Sequence, residues 1–112
     1  MKITEDEIDG VLVMHFDGEL DLYHVRELRE YFNEKVELGK NRIIADFTKL
    51  SYVDSTGIGI MLHAFNQLQE AGGALRFVHI PEGMVRLFRL ADLGGKFEMF
   101  DSQEAALAAF KK

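Results

Sequence analysis

A leading hairpin followed by alternating helix and strand patterns predicts an α/β domain. The expected sheet is mixed and mostly parallel, of about five strands with four helices. Two observations carry this. Asp9-Gly10 separates two strand-like runs, as a tight turn would. Apolar residues then recur at helical spacing in segments divided by short β-branched runs.

Residues 3–8 read as a weak strand, and Val11 to Phe16 as a stronger one. Gly18-Glu19-Leu20-Asp21 ends it and opens a helix over 22–38. Leu22, Val25, Leu28, Tyr31, Phe32 and Val36 form its apolar stripe, and Gly39 follows as a stop. Arg42 to Phe47 is a central strand, apolar on both sides. A second helix is expected over about 57–71. Ile58, Met61, Leu62, Phe65 and Leu68 point inward; Gly59, His63, Asn66 and Glu70 point outward. Gly72-Gly73 stops it. Ala74 to Val78 is a fourth strand, and Pro81 begins a short helix carrying Met84, Val85, Leu87, Phe88 and Leu90. Phe97 to Phe100 is a last strand. Asp101 or Ser102 caps a final helix, Gln103 to Phe110.

With 112 residues, the chain is expected to form one domain, 1–112, around one core. Its 47% hydrophobic and 29% charged residues suit an ordinary globule. A net charge of -6 and no basic block argue against nucleic acid or an anionic membrane, and favour a partner with a basic face. No Cys is present, so thiolate catalysis and disulfides are excluded. The opening MKITEDEIDG does not read as a signal peptide, and no apolar run suits a membrane helix. A cytoplasmic address follows as an expectation. The four histidines lie far apart and read as structural or surface residues; no metal or cofactor is expected.

The stretch Val53-Asp54-Ser55-Thr56-Gly57-Ile58-Gly59-Ile60 interrupts these patterns. Dinucleotide binding would need a glycine where Leu62 stands, and a triphosphate loop would need a lysine after Gly59. An aspartic-protease motif would have glycine two residues after its aspartate. A serine elbow would have glycine where Val53 stands. A phospho-accepting receiver domain could use Asp46 at a strand end, but no adjacent acidic pair accompanies it. With no base, metal set or phosphate lysine in place, an enzyme is not expected. A helix cap explains one of Asp54, Ser55 and Thr56. It leaves two first-turn glycines unexplained, each costing about 0.5–1 kcal/mol relative to Ala. A serine modified by a kinase accounts for more of the pattern: phosphate adds about -1.5 to -2 charges at a helix start and would expel a docked partner.

At this point the chain resembles a STAS domain of the bacterial anti-sigma-factor-antagonist type. The resemblance rests on Gly18-Glu19-Leu20-Asp21, on Ile43-Ile44-Ala45-Asp46 and above all on Asp54 to Gly59. Gly72-Gly73, Leu75 to Val78 and the segment Val85 to Leu93 continue it. It implies a partner-switching protein. The unmodified form captures a kinase-fold anti-sigma factor and frees a sigma factor. That kinase uses ATP to phosphorylate the serine at Ser55, and a phosphoserine phosphatase reverses it. Asp21 and Asp54 would border the docking surface, and Thr56, Gly57 and Gly59 would shape it. Asp21 also reads as a cap, Thr56 as a second acceptor or cap, and Asp46 as structural. The family also supplies stressosome components and subunits docked on lipid-transport ABC ATPases, which would need no sigma-factor switch. His79-Ile80-Pro81 departs from the family's usual Asn and small residue.

Overall fold

The computed structural model describes residues 1–92 and 95–111. Five strands lie in the order of the sequence: β1 (Lys2–Ile8), β2 (Val11–Leu20), β3 (Arg42–Val53), β4 (Ala74–Val78) and β5 (Glu98–Phe100). β1 is antiparallel to β2, and every other pairing is parallel. The hairpin forms at Asp9-Gly10, where both residues take positive φ (52° and 79°) between the paired Ile8 and Val11. That is the backbone twist a two-residue hairpin requires.

Four helices complete the fold: α1 (Val25–Glu37), α2 (Ser55–Glu70), α3 (Glu82–Ala91) and α4 (Gln103–Phe110). Right-handed crossovers between sequential parallel strands put their connecting helices on one face. Accordingly Leu28 and Phe32 of α1, Met61 and Leu68 of α2 and Phe88 of α3 share the main core. Phe47 sits at its centre, 5.2 Å from Phe16, 5.7 Å from Phe77 and 5.5 Å from Phe88 between ring centroids. α4 covers the opposite face through Ala106, Leu107 and Phe110 over Val11, Val13, Ile44 and Val78.

Several boundaries move. β2 and β3 run on to Leu20 and Val53, paired through Glu19↔Tyr52 and Leu20↔Val53 after two register shifts. The first helical stretch splits into a 3-10 turn, Leu22–His24, and α1. Leu22 therefore leaves the expected stripe and is 63% exposed. α2 begins at Ser55, two residues early, because Asp54 caps it. It ends as expected: Gly72 N–H donates to Gln69 and Gly73 N–H to Leu68, the paired bonds of a glycine stop. Ser102, not Asp101, caps α4. Leu93, the last residue of the family-like segment from Val85, lies outside the described residues.

Candidate functional site

β3 ends beside β2, where Asp54 N–H donates to the Leu20 carbonyl at 3.1 Å. Asp54 then takes an extended conformation and caps α2. Its Oδ1 accepts from Gly57 N–H at 2.9 Å and from the Thr56 hydroxyl at 2.5 Å. Its Oδ2 accepts from Leu22 N–H at 3.2 Å. The Thr56 hydroxyl, followed by the Gly57 and Leu22 N–H groups, holds this carboxyl below its usual range, so the site keeps its negative charge. Thr56 thus directs its proton to Asp54. Ser55, at the first helical position, takes no part in these bonds and is exposed.

The two glycines differ. Gly57 is buried, and a Cβ there would run into the Leu20 carbonyl, so it lets α2 press against the end of β2. It shapes the surface from beneath. Gly59 is exposed with nothing within 4 Å of a Cβ position, so no packing constraint asks for glycine there.

Asp21 reaches the same end of the sheet but is only 7% exposed. Its Oδ1 accepts from Tyr23 N–H at 3.1 Å and from His24 Nδ1 at 2.7 Å, which caps the 3-10 turn. The Leu22–Asp54 bond ties that turn to the start of α2. Asp21, Asp54, Ser55, Thr56 and Gly59 are thereby gathered at one end of the molecule. Sequence reasoning missed the exposed Leu22 and Tyr23 between them, since Leu22 falls at helical spacing with Val25 and Leu28.

A second polar cluster sits on the sheet face that α4 leaves open. His15 Nδ1 lies 2.6 Å from Asp46 Oδ2 and His15 Nε2 lies 2.8 Å from Asp6 Oδ2. Asp46 Oδ1 also accepts from Thr48 N–H and from the Thr48 hydroxyl, with His79 Nδ1 at 3.2 Å. Burial disfavours the charged form of both His15 and Asp46. Hydrogen bonds and opposite charges outweigh it, raising His15 and lowering Asp46, so the surroundings favour the ionic form of the pair. A cavity of about 250 Å³ beside them is lined by Lys2, Thr4, Asp17 and Lys49 as well. His79 takes φ 56°, a left-handed conformation that Asn also tolerates, which fits the departure at this turn. Among the described residues no three His, Asp or Glu side chains are grouped to hold a metal, and no helix is long and apolar enough to cross a membrane.

The STAS domain family model matches residues 2–106. BtrV of Bordetella bronchiseptica is 30% identical over 111 residues, 99% of this chain and 96% of its own length. The anti-sigma-B factor antagonist of Bacillus subtilis is 34% identical over 93 residues, 83% of this chain and 81% of its own. The unphosphorylated form of the antagonist SpoIIAA superposes with a TM-score of 0.75 at 22% identity, covering 98% of this chain and 97% of that one. SpoIIAA has also been solved in its phosphorylated form. Fold, motif and family model agree: the chain belongs to the STAS domain family.

Proposed function

We propose that this chain is an anti-sigma-factor antagonist switched by phosphorylation at Ser55. In its unmodified form it sequesters a kinase-fold anti-sigma factor and so releases a sigma factor. The observation that carries the reading is the contrast at the cap: Asp54 engages Thr56 and Gly57, while Ser55 stands exposed beside it. The partner uses ATP as phosphoryl donor. The Ser55 oxygen bonds to the γ-phosphorus, its proton is lost and ADP leaves. A phosphatase hydrolyses the ester with water, returning the Ser55 hydroxyl and releasing inorganic phosphate. Phosphate at the first position of α2 is compatible with the helix dipole, so the fold tolerates it. A docked partner does not, because Asp54 already holds a full charge and the contact would bury two more. The chain itself carries out no chemistry and works in the cytoplasm. The names of relatives such as the Bacillus subtilis antagonist support the reading.

The test uses the purified chain as bait in host lysate, as wild type and as Ser55→Asp, with bound proteins identified by mass spectrometry. The wild type is expected to retain a kinase-fold protein that Ser55→Asp releases. Recovery of a transporter ATPase by both baits would overturn the switch.

A further inference from the structure

Five large hydrophobic side chains stand exposed among the described residues: Leu22, Tyr23, Leu38, Tyr52 and Leu90. Three of them belong to the Ser55 end. Leu22 and Tyr23 occupy the 3-10 turn, and Tyr52 lies two residues before Asp54, paired with Glu19. Tyr23 is 88% exposed, so its ring contributes almost nothing to the core.

The turn is nonetheless built to hold these side chains out. Asp21 accepts the Tyr23 N–H and the His24 ring, and the His24 N–H returns to the Asp21 carbonyl at 3.1 Å. Leu22 N–H is fixed to Asp54. Tyr23 also walls an open depression lined by Asp17, Gly18, Glu19, Asp21 and His24, together with Lys2 and Met1, whose amino group lies 3.2 Å from His24 Nε2; three carboxylates there stand against these two cations. An aromatic face beside carboxylates suits a cationic side chain, which the ring attracts as well as the charges. Tyrosine is also favoured as an interface anchor, because it brings a large rigid contact at small entropic cost.

We infer that Leu22 and Tyr23 are the apolar anchor of the partner contact. The ring of Tyr23 seats against an Arg or Lys of the kinase-fold partner, whose charge lies in the depression by Glu19. The inference rests on the function proposed above. It divides the surface in two: the anchor sets how tightly the partner is held, and Ser55 sets whether it is held. The anchor lies outside the phosphorylated helix, so its own contacts do not include the phosphate.

The experiment is a titration of the kinase-fold protein that wild-type bait retains. Tyr23→Ala is expected to weaken binding about 30-fold or more, Tyr23→Phe by less than about threefold, and Leu22→Ala by an intermediate factor. Glu19→Gln weakens binding at low salt and loses that effect at high salt. All four keep the wild-type melting temperature, since neither Leu22, Tyr23 nor Glu19 is buried. Wild-type affinity in Tyr23→Ala, with Ser55→Asp still released, overturns the anchor and leaves the switch standing. If Tyr23→Ala instead dissolves a wild-type dimer in sedimentation, the turn serves self-association and the inference is wrong. If Ser55→Asp binds like wild type, the switch itself fails.

Discussion

Two aspartates, one inside the central strand and one just past its end, do opposite work. Asp46 lies inside β3, 8% exposed, and joins β1, β2 and the turn after β4 through Asp6, His15 and His79. Asp54 follows the end of the same strand, and its bonds are nearly all to the first turn of α2 and the turn after β2. One carboxylate ties strands that are distant in sequence. The other arranges a surface. The difference teaches that the same side chain can brace strands distant in sequence or order one exposed turn, and that its partners, not its charge, decide which.

Substitutions can break that comparison. The largest effect is on binding: Ser55→Asp is expected to lower affinity for the kinase-fold partner by about 100-fold or more, as a buried unpaired charge would. Its melting temperature stays near wild type, checked by circular dichroism. Asp46→Ala does the reverse. Removing the acceptor of His15 and Thr48 costs about 3 kcal/mol in urea unfolding. Binding by the folded fraction stays unchanged.

The glycines sharpen it further. Gly57→Ala drives a methyl into the Leu20 carbonyl and costs about 2 kcal/mol. Gly59→Ala meets nothing, so it stabilises α2 by about 0.5–1 kcal/mol. If Gly59 is kept for docking, that more stable variant binds the partner more weakly. Equal binding would make Gly59 incidental.

The smallest effect is that of pH. His15 titrates above its ordinary 6.5 in the folded protein, so its contribution is complete below that value and fades as pH rises through the raised one. Asp46 titrates below 3.8, so its contribution is complete above that value and fades as pH falls through the lowered one. Stability from this pair therefore peaks between about pH 4 and 6.5. Unfolding at pH 6 and pH 8 checks it: wild type should lose stability over that step and His15→Gln should lose less. A steeper loss in His15→Gln would contradict the ionic bridge.

Much of this was legible from local pattern. The Asp9-Gly10 turn, the inward stripe of α2 and its Gly72-Gly73 stop act over a few residues, where sequence speaks directly. A helix cap within Asp54 to Thr56 and the exposure of Ser55 were legible for the same reason, but that Asp54 is the cap was not, since all three side chains suit the role. The second half of β3 was not. Its buried positions Phe47, Leu50 and Val53 recur every three residues across register shifts, so no alternation shows. Leu22 misled because helical spacing cannot reveal a 3-10 turn that rotates it outward. The His15–Asp46–His79 cluster was invisible as well: its members lie 31 and 33 residues apart, and only the parallel sheet brings them together. A histidine inside the apolar run Val11 to Phe16 was the one available hint.

The most direct test of the switch follows one reaction. The chain is incubated with ATP and the retained kinase-fold protein, the modified residue is mapped by mass spectrometry, and affinity is measured before and after. The account predicts a single phosphate on Ser55, none on the Ser55→Ala variant, and loss of binding once it is added. Phosphate on Thr56 instead, or a Ser55 phosphate that leaves binding intact, would contradict it.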